Sequence, residues 1–206
     1  MKITVLGATG ATGKYVVEQA LAAGHTVTAL VRDAQKLPAR EGLFIVEGQL
    51  ANEAALNSAL QGAGAVISAL GVTRATVTEA PSSALPQIIN AMKKHGVRRY
   101  VGISGAAVTA PGEHKAFKGR LISAVVRFFT AAVVADKQRE LELLSASDLE
   151  WTLARPPRLV NGPATAAYAV SQSAPKTTKI ARGDVAHFLL SEVVTPRHLR
   201  LAPYVG

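Results

Sequence analysis

The chain has 206 residues, a formal net charge of +9, 49% hydrophobic residues and 18% charged residues. That balance suits a domain with a substantial buried core and excludes a disordered chain. Cysteine is absent, which excludes disulfides, thiolate nucleophiles and zinc–thiolate sites and leaves a reducing compartment open.

Strand-like and helix-like segments alternate from the first residues. "KITVL" (2–6) is an apolar run of strand length, and "GKYVVEQALAAG" (13–24) has helical spacing that stops at a glycine. "TVTALV" (26–31) and "LFIVEG" (43–48) read as the next strands, and "NEAALNSAL" (52–60) as a helix with Asn52 at its N-cap. "AVISAL" (65–70) is a fourth strand. "SSALPQIINAMKKHG" (82–96) is a helix closed by Gly96, with Pro86 tolerable only near its first turn. "RRYVGIS" (98–104) is a strand, followed by a Gly- and Pro-bearing loop (105–119) and a helical region over 119–146, continuous or broken. "EWTLAR" (150–155) is a strand stopped by Pro156 and Pro157, "TTKI" (177–180) a short strand, and "GDVAHFLLSEVV" (183–194) the last helix. This alternation predicts a single α/β domain over 1–206: a Rossmann-type, doubly wound parallel sheet with helices on both faces. Loops over 105–119 and 156–176 are expected on the substrate side.

The chain opens on Met1-Lys2 with no apolar leader. Its most apolar later stretch, "LISAVVRFFTAAVVA" (121–135), is short for a bilayer span and carries Arg127. A soluble cytoplasmic protein is expected, as a monomer or small homo-oligomer. The positive charge raises polyanions as partners, but the basic residues are spread out, densest in "KKHGVRR" (93–99). Aromatics are 5%, too few for base-stacking platforms. An anionic cofactor and a small-molecule acceptor are expected, and neither nucleic acid nor membrane.

Directly after the first strand stands "GATGATG" (7–13). A strand, closely spaced glycines and a helix form the arrangement that binds a pyrophosphate. Gly7 makes the tight turn, Gly10 lets the backbone approach the phosphates, and Gly13 lets the helix pack closely with its N-terminal amides facing the anion. Gly7, Thr9, Gly10, Ala11, Thr12 and Gly13 are therefore candidate cofactor contacts. The second strand ends in Arg32, where an NAD site places an acidic residue for the ribose 2′-hydroxyl. A guanidinium suits a 2′-phosphate. Asp33, next door, either receives a hydroxyl or starts a turn, and Lys36 adds positive charge. NADPH/NADP+ is expected over NADH.

With "GATGATG", "LVRD", "GISG" and "ARPPRLVNGP…YAV…IARGDVAHFLL" in this order, the chain resembles the atypical short-chain dehydrogenase/reductases over nearly its whole length. Within them it is most similar to the biliverdin-IXβ/flavin reductases and their bacterial NAD(P)H-binding relatives. The resemblance implies a serine at the end of the fifth strand, Ser104, which is either the catalytic serine or a small turn residue. It implies a loop beside the nicotinamide ribose at Leu70, Gly71 and Arg74, and a turn flanking the nicotinamide at Pro156 and Pro157. Lys137 matches a polar or basic active-site position, or is a solvated helix lysine. Two departures stand out. None of the four tyrosines has a lysine four residues later, so the Tyr-x-x-x-Lys proton donor is missing. Arg158 replaces the histidine that follows the double proline, leaving a fixed cation that suits a propionate or phosphate on the substrate.

Hydride transfer from a nicotinamide needs mostly geometry. A flavin, quinone or tetrapyrrole-like acceptor can take its proton from solvent, whereas a simple ketone gains much from a positioned acid. The missing Tyr-x-x-x-Lys thus points to a planar conjugated acceptor, with flavin as substrate and not as prosthetic group. A non-catalytic NADP(H)-sensing regulatory protein would use the same loop and arginine.

Overall fold

The computed structural model describes residues 1–71, 81–110, 113 and 117–206; over 117–130 it describes the helical backbone alone. In chain order the elements are β1 (Lys2–Leu6), α1 (Gly13–Ala22), β2 (Thr26–Val31), β3 (Leu43–Glu47), α2 (Glu53–Leu60), β4 (Ala65–Ser68) and α3 (Pro81–Lys94). Then come β5 (Arg99–Ile103), α4 (Phe117–Ala146), β6 (Glu150–Ala154), β7 (Arg158–Val160), β8 (Val170–Ser171), β9 (Lys179–Ala181), α5 (Arg182–Val194) and β10 (Tyr204–Val205). Six strands form one parallel sheet in the order β3-β2-β1-β4-β5-β6. The order reverses between β1 and β4, which opens a crevice above their C-terminal ends.

Five of the six strands, all but the edge strand β3, are buried on both faces, which is why they read as apolar runs and not as alternating ones. Ile3, Val5, Val27, Ala29, Ile67 and Val101 pack against α1 and α5. Leu6, Leu30, Val66, Tyr100, Trp151 and Leu153 pack on the other side with α2, α3 and α4. Some polar groups inside the sheet are bonded to flanking elements: Thr4 Oγ1 donates to the Ala59 carbonyl of α2 at 2.6 Å. Arg99, 6% exposed, donates to the Glu192 and Glu150 carbonyls and to Thr152 Oγ1, and pairs with the Glu192 carboxylate at 3.2 Å. The rest of the densest basic stretch is balanced on the surface. Lys93 pairs with Asp148, Lys94 with Glu53, and Arg98 with Glu150.

Several elements differ from the sequence expectation. β4 stops at Ser68, so Ala69, Leu70 and Gly71 leave the sheet at the crevice. Pro86 lies inside α3 and not in a first turn, where it removes one backbone donor. α4 runs unbroken from Phe117 to Ala146. The expected loop over 156–176 contains β7 and β8, and the tail contains β10. β7 pairs with β9, and β8 with β10, in two small separate sheets. Strands of two or three residues carry no periodicity, and their partners lie far along the chain. No helix among the described residues is long and apolar enough to cross a membrane.

Candidate functional site

The loop from β1 to α1 sits at the crevice. Gly7 has φ +79°, and a Cβ there would lie 3.0 Å from the Ala69 carbonyl group, so the turn rests directly on the chain leaving β4. Gly13 meets the same turn from the other side: its Cβ would clash with the Gly7 carbonyl, so α1 begins flush against the loop. Gly10 is different. Its amide donates to the Gly7 carbonyl at 3.0 Å, and an added Cβ would meet that oxygen at 3.1 Å and nothing else within 4 Å. Thr12 stands at the N-cap of α1 without a side-chain capping bond, and the first turn holds no acidic residue. The helix N-terminus, with Thr9 to Gly13 leading into it, is left without an internal counter-charge and suits an anion.

A cleft of about 460 Å³ opens beside the loop. Gly7, Thr9, Arg32, Leu70 and Gly71 all line it, so five of the sequence-derived contacts meet in one place. Arg32 is exposed, and its guanidinium has no hydrogen bond or ion pair among the described residues. Asp33 is occupied otherwise. It accepts the Gln35 amide at 3.0 Å, capping a short 3-10 turn over Ala34–Lys36, and pairs with Lys36 at 3.3 Å. Asp33 therefore starts a turn, Lys36 spends its charge on it, and Arg32 is left as the cation facing the cleft. These residues fit a dinucleotide: glycine backbone for the pyrophosphate, and a free guanidinium for a further anionic group.

Ser104 follows β5, one strand beyond β4. Its amide donates to the Ala154 carbonyl at 2.7 Å; its Oγ is buried without a hydrogen-bond partner among the described residues. Pro156 and Pro157 follow β6, and the Pro156 carbonyl accepts the Ala106 amide at 3.1 Å. The residue before them was missed in the sequence. Arg155, 1% exposed, donates to the Ala202 and Val108 carbonyls at 2.5 and 2.8 Å and pairs with Glu113. Its guanidinium lies 3.9 Å from the Tyr204 ring centre, and Tyr204 Oη donates to Glu113 at 2.6 Å. Burial and the bond to Glu113 push the Tyr204 phenol up to about 12. Burial opposes ionisation of Glu113, but bonds from Tyr204, the Ala110 amide and Arg155 outweigh it and hold the carboxyl below its ordinary value. This cluster ties Val108, Glu113 and the tail to the strand end that precedes the double proline.

Lys137 is 6% exposed, which overturns the solvated alternative. It donates to the Leu70 carbonyl at 3.0 Å and pairs with Glu140 at 2.7 Å. Arg158 is exposed on β7, outside the cleft. The ladder puts it directly opposite Lys179 on β9, a neighbour the sequence did not reveal. Arg74 lies outside the described residues.

A glycine loop at the reversal point of this sheet defines a Rossmann-type dinucleotide-binding domain. Residues 7–196 match the NAD(P)H-binding family, and the chain belongs to it. A short-chain dehydrogenase/reductase of Veillonella parvula DSM 2008, solved in complex with NADP, has 20% identity and a TM-score of 0.82, covering 100% of this chain and 94% of that one. Anaerobilin reductase ChuY of Escherichia coli O157:H7 has 21% identity and a TM-score of 0.83, covering 100% and 96%. At these identities the likeness is one of fold. Photosystem II assembly factor Ycf39 of Synechocystis is 34% identical over 110 residues, 50% of this chain and 33% of its own length. The chain thus matches about a third of that curated relative.

Proposed function

We propose that the protein is an NADPH-dependent reductase that passes hydride to a planar conjugated acceptor: a flavin, a quinone or a tetrapyrrole-like molecule taken up as substrate. The observation that carries this is a pair of polar groups, without partners among the described residues, at the ends of the strands on either side of the reversal point. Arg32 stands one strand to one side of it, at the end of β2, and the buried Ser104 hydroxyl one strand to the other, at the end of β5.

The glycine loop and the α1 amides would hold the pyrophosphate, Arg32 a 2′-phosphate, and Leu70 with Gly71 the wall beside them. Ser104, Pro156 and Pro157 would orient the nicotinamide end. The bound nicotinamide supplies the hydride, and the protein supplies alignment and a dry contact. Neither buried tyrosine is a ready acid. Burial, and then the neighbouring glutamate, raises both the Tyr100 and Tyr204 phenols, which donate to Glu140 and Glu113. This supports an acceptor that needs no positioned proton donor. A fold neighbour that reduces anaerobilin is consistent with it. The paired charges of the 93–98 stretch favour small-molecule work over nucleic-acid binding.

Arg32 sets cofactor choice in this reading. NADPH should bind at least about tenfold tighter than NADH, since a charge-assisted bond is worth roughly 1.5–3 kcal/mol. Arg32→Glu should narrow or reverse the preference in calorimetric titrations; equal affinities in the unaltered protein would remove this part of the account.

Arg158 and Lys179 give the acceptor an anionic end to prefer. Like charges directly opposite in a ladder destabilise it, and no acidic side chain pairs with either among the described residues. Arg158→Ala and Lys179→Ala should each raise KM for FMN by about tenfold, leave kcat unchanged, and leave an uncharged quinone unaffected. An equal rise with both acceptors would show a general packing defect.

The test of the function is NADPH oxidation against FMN, FAD, biliverdin and a panel of quinones. One observation favours a second reading, a non-catalytic NADP(H) sensor: the relative with 34% identity is an assembly factor. Tight NADPH binding with no acceptor reduced above background selects that reading.

A further inference from the structure

One wall of the cleft is built from both ends of the connection between β4 and α3: Leu70 and Gly71 on one side, Pro81, Ser83 and Ala84 on the other. Each end is held by a buried side chain of α4, and the two side chains are consecutive. Lys137 Nζ donates to the Leu70 carbonyl at 3.0 Å, and Asp136 Oδ1 accepts the Ser82 amide at 3.0 Å. Asp136 is 7% exposed and Lys137 6%. The lysine is balanced by Glu140, 2% exposed, at 2.7 Å, and Glu140 in turn accepts the Tyr100 hydroxyl of β5 at 2.9 Å. Burial first, and then the Glu140 carboxylate, raises the Tyr100 phenol well above its ordinary value, so it stays protonated and keeps donating.

Stability alone gives little reason for this network. Replacing a buried ion pair by apolar side chains of similar volume is often neutral or stabilising. What the network adds is direction, because the ammonium ends on a main-chain carbonyl of the cleft wall. Its neighbour Asp136 ends on the amide at the far side of the same connection.

We propose that Asp136 and Lys137 together clamp the chain leaving β4, at Leu70, and the start of α3, at Ser82, and so fix the spacing of the cleft wall. They are positioning residues: they set dinucleotide affinity and do not touch the reacting atoms. The inference rests on the cleft being the dinucleotide site.

The combined variant Tyr100→Phe/Lys137→Met/Glu140→Leu removes Lys137 together with the buried groups it is linked to, and leaves Asp136 with its bond to the Ser82 amide. Its NADP+ affinity, read by calorimetry, should fall about tenfold. The kcat of Asp136→Ala at saturating NADPH should stay within about threefold of the unaltered protein. Asp136→Ala should weaken binding in the same way, and Asp136→Asn, which keeps an oxygen for the Ser82 amide, should restore it. The Asp136 pair carries the test if the combined variant fails to fold. Unchanged affinity in folded variants overturns the clamp. Unchanged affinity with lost turnover also overturns it, and places Lys137 on the reacting atoms instead. Binding is read without an acceptor, so a protein that binds NADP+ and reduces nothing still tests the clamp while the reductase reading fails. A protein that binds no dinucleotide overturns both.

Discussion

Gly10→Val is expected to weaken NADP+ binding by at least about a hundredfold, or roughly 2.7 kcal/mol, while its circular dichroism and melting temperature stay near those of the unaltered protein. The two halves of this result have separate causes. Backbone at Gly10 has no positive φ, and an added Cβ meets only the Gly7 carbonyl, at 3.1 Å, a tight contact that a shift of a few tenths of an ångström relieves, so the fold can take a side chain. That side chain would stand where the phosphates must approach the loop. Gly13→Val should behave in the opposite way. Its Cβ would overlap the Gly7 carbonyl, main chain that cannot move aside, so folding itself should suffer. Undiminished binding by a folded Gly10→Val protein would show that this loop is not the phosphate site.

Ser104→Ala is expected to lower turnover by about 10- to 100-fold, the lower part of the range for a positioned proton-transfer or hydrogen-bonding group, with the Kd for NADPH nearly unchanged. The structure adds a discriminating control. The Ser104 hydroxyl is buried without a partner among the described residues, so removing it relieves an unsatisfied polar group and should leave stability equal or higher. A slower enzyme that is no less stable indicates a hydroxyl kept for its ligand. Unchanged turnover with flavin and quinone would reduce Ser104 to a small residue that lets β5 turn.

What could be read from the sequence was local. The glycine loop announces itself because its three constraints act within seven residues, and five of the six main strands do so because burial on both faces leaves apolar runs. Arg32 was legible as a cation, but Asp33 was ambiguous until the Gln35 amide and Lys36 were seen to occupy it. The site's supports were not legible, because their partners are distant. Lys137 meets a carbonyl 67 residues away, and Arg155 and Tyr204 reach Glu113 across 42 and 91 residues. One signal was available: Lys137 and Glu140 stand three apart on a helix, a spacing that puts them side by side. Lys179 became visible only through the register of a three-residue strand.

Direct hydride delivery is tested most closely by single-turnover oxidation of NADPH deuterated at one or the other C4 position, with FMN or an uncharged quinone in excess. A site that fixes one face of the nicotinamide against the acceptor should slow with one of the two deuterated forms and not with the other. Equal rates with both forms, or tight binding with no oxidation above the protein-free rate, would contradict the account.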